Sequence, residues 1–198
     1  MDKKYDFILA DPCWNYRDTQ GHDPARGGLT YPTMTMKELE ALPVERLAKK
    51  DSIMVMWVTA PKLMDFDQGV NPLHVLKAWG FIPITILIVW VKTTKKGFYS
   101  GLGRYTNSNV ELAIVARRGK GLERQAKNVK QLLFAPLRAH SEKPQEQYTR
   151  YESLWHIQNK QCIELFARSK NPPPSYFEAV GLDWTPPQDI KDFLQAYA

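Results

Sequence analysis

Apolar residues fall in compact runs at positions 7–10, 53–58 and 82–91, each rich in β-branched or aromatic side chains, and such runs predict strands. Their apolarity is continuous rather than alternating, which predicts strands covered on both faces. Between the second and third runs, residues 71–79 place Leu73, Leu76 and Trp79 at helical spacing and stop at Gly80, the pattern of a short amphipathic helix. A second helix is predicted over 143–155, with Pro144 in its first turn and Tyr148, Tyr151, Leu154 and Trp155 along one face. Further strands are predicted at 110–116, 132–134 and 162–166. Strands and helices alternating in this way imply an α/β sheet with helices on both faces, and such sheets bind ligands at the carboxyl ends of their strands. Asp11, Pro12, Cys13 and Trp14 directly follow the first strand and Arg168 follows the last, so both groups should open onto one crevice.

Two long irregular stretches, 15–33 and 92–109, carry glycine and polar residues, and loops of that length in a compact domain are commonly functional. The segment 171–187 is punctuated by Pro172, Pro173, Pro174, Pro186 and Pro187 and is expected to wrap the body as extended chain. The 198 residues suit a single domain running from 1 to 198, with 171–198 as its proline-rich tail, and at 43% hydrophobic content the chain can bury a useful core.

Composition narrows the class of partner. Lysine and arginine number 27 against 21 acidic residues, a formal charge of +6, which leans towards a polyanion. The excess is local: residues 92–130 hold ten Lys or Arg and two acidic residues, Glu111 and Glu123. Such a stretch is either a phosphate-tracking surface or a solvated set of loops. Cys13 and Cys162 are the only cysteines, and neither they nor the four histidines show metal-ligand spacing, so no metal is expected. No run approaches the ~20 apolar residues of a membrane span, and nothing resembles a signal peptide. A cytoplasmic protein, in a bacterium or a phage-infected host, is the expectation.

The chemistry sits in the tetrapeptide at 11–14. An aromatic amine is a weak nucleophile because its lone pair is delocalised into the ring. Hydrogen bonds from both amine hydrogens, one to the Asp11 carboxylate and one to the Pro12 carbonyl, would draw the nitrogen towards tetrahedral geometry and free that pair. A methyl sulfonium in line behind it would complete the arrangement, with positioning supplying much of the rate. Trp14 would stack on the base, a contact worth ~1–3 kcal/mol. An Asp-Pro pair after a strand is also an ordinary turn, so the tetrapeptide alone does not decide.

Further stretches extend the pattern: Tyr31-Pro32-Thr33-Met34, Trp57-Val58-Thr59, Trp79-Gly80-Phe81, Val89-Trp90-Val91-Lys92-Thr93, Asn107 through Glu111, His140-Ser141-Glu142-Lys143-Pro144, and Ile163-Glu164-Leu165-Phe166-Ala167-Arg168. Together and in this order they resemble the MT-A70 family of adenine N6-methyltransferases. The resemblance implies a Rossmann-like fold in permuted order, the catalytic motif ahead of the cofactor strand, and S-adenosylmethionine as donor with S-adenosylhomocysteine as product. It implies Asp11 and Pro12 at the amine and the methionine end of the cofactor, and Trp14 and Tyr31 around the adenine, with Asn107 and Glu111 on the substrate side. Lys143, Glu164, Phe166, Arg168 and Asn171 are implied for the cofactor pocket, Glu164 at the ribose hydroxyls. The chain departs from the family at Cys13, where a proline or small residue is usual, and at Gly181-Leu182-Asp183, where a Gly-Asn-Glu/Gln segment is usual.

Other readings stand beside these. Cys13 could be a nucleophile, as in cytosine C5-methyltransferases, but without an electropositive setting a small apolar filler is preferred. Tyr31 could be a packed loop aromatic, Lys143 and Arg168 surface charges, and His140 a local structural residue. Glu111, inside an apolar strand, is either an arginine's partner or a pocket contact. For the whole chain the expected activity is adenine N6-methylation of DNA. A silent nucleic-acid-binding subunit, an N4-cytosine enzyme and an RNA adenine enzyme are the rivals, and either a monomer or a homodimer is compatible.

Overall fold

A computed structural model describes residues 3–15, 32–66, 69–101, 103, 105–138, 142–169 and 171–197. Eight strands form one sheet: β1 (Tyr5–Ala10), β2 (Ala48–Val58), β3 (Ile82–Thr94), β4 (Gly97–Phe98), β5 (Val110–Arg118), β6 (Leu132–Pro136), β7 (Cys162–Leu165) and β8 (Phe177–Val180). Their order is β4-β3-β5-β2-β1-β7-β8, with β6 on the other edge of β3. β1 is parallel to β2 and β7, and β7 to β8; β5 runs antiparallel to both β2 and β3, while β6 is parallel to β3. It follows that β1, β2, β3, β6, β7 and β8 point the same way and that β5 begins where they end. One edge of the sheet therefore gathers Asp11, the end of β3, the start of β5 and the residues after β7 and β8.

Alternation along the central strands divides the interior into two cores. On β1 and β2, Ile8, Ala10, Met54, Met56 and Val58 face the first core, which is covered by α1 (Met36–Glu40), α3 (Pro72–Ala78) and α5 (Ile190–Gln195). The intervening Phe7, Leu9, Ile53, Val55 and Trp57 face the second, covered by α4 (Glu146–Trp155). A further short helix, α2 (Ala60–Leu63), follows β2. Helices thus lie on both faces, as the pattern predicts.

Local chemistry sets the helix ends. Thr35 and Glu38 make a capping box on α1, and Asn71 caps α3 ahead of Pro72. Gly80, at φ 80°, supplies the left-handed turn that ends α3 and lets Phe81 donate back to the Leu76 carbonyl at 3.0 Å. α4 begins at Glu146 rather than in the 143–144 region, because residues 144–148 first make tighter turns in which Gln147 and Tyr148 donate to Pro144 and Gln145. That leaves Lys143 on the approach to the helix. Four buried indoles are bonded: Trp14 to the Trp57 carbonyl, Trp57 to Gln147, Trp79 to the Leu39 carbonyl and Trp90 to the Ala135 carbonyl.

Three expectations are corrected. β3 is not covered on both faces: Ile82 and Ile84 are 58% and 53% exposed, their side chains left uncovered by the helices among the described residues. β3 also runs on through Lys92 to Thr94 and returns as β4, so the stretch after residue 91 starts as a hairpin rather than a loop. The tail does more than wrap: residues 177–180 add an edge strand in register with β7, and α5 packs into the first core. No helix among the described residues is long and apolar enough to cross a membrane.

Candidate active site

Asp11 leaves the end of β1 on the side of the second core. Its Oδ2 accepts a 2.6 Å bond from Lys143 Nζ, whose side chain is 6% exposed and lies 5.8 Å over the Trp57 ring. The same ammonium is 3.3 Å from Glu111 Oε2, and Glu111 Oε1 is 2.6 Å from Lys92 Nζ. Four charges therefore alternate in sign across the sheet edge, Asp11, Lys143, Glu111, Lys92. Burial alone would lower the Lys143 pKa, but the Asp11 and Glu111 carboxylates outweigh it and hold the group above the usual lysine range. For Glu111, burial would raise the pKa, and the ammoniums of Lys143 and Lys92 reverse that and lower it. The partner left open by the sequence is thus a pair of lysines, not an arginine.

Behind Lys143 stand two of the other predicted cofactor residues. Asn171, buried, donates from Nδ2 to the Lys143 carbonyl at 3.2 Å and accepts from Gln145 at 2.5 Å, fixing the approach to α4. Glu164 is 6% exposed and accepts from the Tyr148 hydroxyl at 2.6 Å. Burial pushes its pKa up to about 7; the Tyr148 bond and Lys143 oppose the rise and Asp11 adds to it.

On the other side of the tetrapeptide lies a cavity of about 150 Å³ whose walls include Cys13, Met34, Phe166, Arg168, Leu182 and Asp183. Two backbone features shape it. Phe166 takes φ 63°, a left-handed conformation rare for an aromatic residue, and so turns the chain sharply after β7. Gly181 then lies against that turn, so close that a Cβ there would stand 2.3 Å from the Ala167 carbonyl oxygen. Beyond it the backbones at Arg168 and Asp183 pair as an isolated parallel β-bridge. Burial raises the Cys13 thiol to about 11, so a thiolate nucleophile is absent at neutral pH and the apolar-filler reading is favoured.

The predicted residues divide into groups. Asp11, Lys143 and Glu111 belong to the charged cluster, with Glu164 and Asn171 behind it, whereas Phe166 and Arg168 line the cavity. Pro12 joins the two, its carbonyl accepting from the Trp14 N–H at 2.8 Å. Trp14 is 4% exposed and packed in the first core. Asn107 is exposed, directly before Ser108, which bridges to Gly101. Tyr31 and His140 lie outside the described residues. Sequence reasoning missed Lys92, placing it in a loop; its signal was its position directly after the third apolar run.

The MT-A70 family model matches residues 5–182, from the first residue of β1 to Leu182 in the cavity wall. The chain belongs to the MT-A70 family. Its strand order and two-sided helix packing are those of a mixed α/β sheet, consistent with a Rossmann-like methyltransferase fold. This MT-A70 chain is 33% identical over 184 residues to the Type II methyltransferase M.MunI of a Mycoplasma species, covering 84% of this chain and 73% of that relative. It is 29% identical over 201 residues to the N(6)-adenosine-methyltransferase MT-A70-like protein of Drosophila melanogaster. That alignment covers 98% of this chain but 30% of the fly protein.

Proposed function

We propose that this protein transfers a methyl group from S-adenosylmethionine to N6 of adenine in DNA by direct displacement. The observation behind the reading is the Asp11 carboxylate, anchored through Oδ2 by a buried ammonium and two residues before Cys13, which shares the wall of a cavity with Arg168. Lys143 occupies one carboxylate oxygen, so Oδ1 is left to accept one amine hydrogen. The Pro12 carbonyl accepts from Trp14, which fixes its direction, and its second lone pair takes the other hydrogen. Trp14, buried and tied to the Trp57 carbonyl, anchors the tetrapeptide, and Trp14 and Tyr31 stay assigned to the adenine on the family resemblance. Asn107 and Glu111 stay assigned to the substrate side, Glu111 acting through Lys143.

The cavity fits the donor in kind: Phe166 and Leu182 offer apolar walls, Arg168 suits a carboxylate, and Asp183 suits an amine or ribose hydroxyls. The donor supplies an electrophilic methyl on sulfonium. Lys143 and Asn171 hold the Asp11 side of the site rigid, and the protein's share of the rate is positioning. The name of the Mycoplasma relative supports a methyltransferase of the Type II class, and that of the fly relative supports adenosine N6 as the acceptor.

The test is to incubate the protein with labelled donor and either DNA or RNA, digest to nucleosides, and identify the modified base. N6-methyladenine from DNA is expected for the wild type and for Cys13→Ala, and none for Asp11→Ala. Product on cytosine N4 or only in RNA would replace the assignment, and donor binding without any product would point to a silent subunit.

A further inference from the structure

Beyond Lys92 the sheet carries an open aromatic face. Phe98 on β4 stands opposite Thr93 of β3, and Phe134 on β6 stands opposite Val91. Their rings meet across β3 with centroids 6.3 Å apart and planes tilted by 40°, yet they are 67% and 57% exposed. An ordered aromatic pair left at the surface marks a contact site. The turn joining β3 to β4 consists of Lys95 and Lys96, both exposed, so a basic tip adjoins the rings. Exposed Ile82 and Ile84, at the far end of β3, lack this chemistry: they are aliphatic and carry no ring to stack on.

Position selects the occupant. Thr93, flanked by Phe98 and Pro136, directly follows Lys92, whose ammonium is one end of the charge array that holds Asp11. Lys92 and Thr93 point to opposite faces of β3, so the aromatic pair lies at the same carboxyl edge of the sheet as Asp11, on the face opposite the charge array. Aromatic rings interleaved with lysines fit a polyanion whose bases are unstacked.

We propose that Phe98 and Phe134 receive an unpaired base of the DNA strand that bears the target adenine, with Lys95 and Lys96 on neighbouring phosphates. The proposal rests on the nucleic-acid reading above. It implies that single-stranded or locally opened DNA binds more tightly than closed duplex.

The test is binding of a fluorescently labelled single-stranded oligodeoxynucleotide by anisotropy, with donor binding followed separately by calorimetry. The double variant Phe98→Ala/Phe134→Ala should raise the oligonucleotide Kd about tenfold or more, with donor affinity unchanged. Phe98→Leu/Phe134→Leu keeps an apolar surface but removes the rings, and should lose as much. Lys95→Gln/Lys96→Gln should flatten the dependence of log Kd on log salt by about 1.4, two phosphates' worth. Wild-type affinity in both phenylalanine variants would overturn the proposal. So would sedimentation showing a wild-type dimer that the alanine variant splits and the leucine variant retains, since the face would then join two copies of the chain. Tight, ring-dependent binding without methyl transfer would uphold this inference while removing the catalytic one.

Discussion

Replacing Lys143 with methionine removes a charge from the middle of four while keeping the apolar stem that crosses the Trp57 ring. The ammonium lies 2.6 Å from Asp11 and 3.3 Å from Glu111, with its side chain 6% exposed. Taking one member out of a buried ion pair costs about 3–5 kcal/mol, because the remaining charge is left in a poor medium. Here the loss should sit near the lower figure, about 3 kcal/mol, since Asp11 is 16% exposed and Glu111 keeps Lys92 at 2.6 Å. Against the 5–15 kcal/mol typical of whole domains, roughly, that is a large fraction. Urea unfolding followed by tryptophan fluorescence reads it directly. A cycle with Glu111→Gln isolates the pair, and a coupling of about 1.5–3 kcal/mol is expected for residues sharing one network. Single-turnover methyl transfer should fall by about two orders of magnitude in Lys143→Met, because Asp11 loses the group that fixes its carboxylate. The reasoning fails if the two substitutions add within about 0.5 kcal/mol, or if Lys143→Met transfers methyl at the wild-type rate.

Two other outcomes are expected. The Glu164 pKa, raised to about 7 in the fold, stands above its unfolded value of roughly 4.3, so the folded state holds the proton more tightly. Its contribution to stability is complete below about pH 4 and is lost as pH rises through about 7; Glu164→Gln should therefore gain on the wild type by about 3–4 kcal/mol between pH 4 and 8 in urea titrations, and parallel pH profiles would contradict the assignment. Gly181→Ala should weaken donor binding about tenfold, ~1.4 kcal/mol by calorimetry, because the added methyl meets the Ala167 backbone at 2.3 Å and pushes Asp183 from Arg168; an unchanged Kd would show that this wall does not touch the donor.

Much of the arrangement is legible in the chain itself. β1, β2, β5 and β7 are short apolar runs whose side chains are buried on both faces, and burial of that kind writes itself into sequence. Asp11 and Lys143 sit beside such elements, so their convergence follows from strand direction. What escapes is pairing. The antiparallel course of β5 brings Glu111 to the same edge as Asp11, and nothing in residues 110–118 states which way the strand runs. β8 pairs through its backbone with β7, and the prolines around it masked four strand residues. β3 is as apolar as a core strand but borders solvent, because its outer face depends on what packs there rather than on its own composition.

The walls of the cavity come from Cys13, Met34 and Glu38 on one side and from Phe166, Leu182 and Lys191 on the other, groups far apart in the sequence. Early translation delivers one wall and late translation the other, with the long central strands laid down in between. A nascent chain halted after β7 would hold a nearly complete sheet, with Asp11 already beside Lys143, and still have half a pocket. On the proposed function, donor capture would wait for that second wall, after Asp11 and Lys143 have already been synthesised.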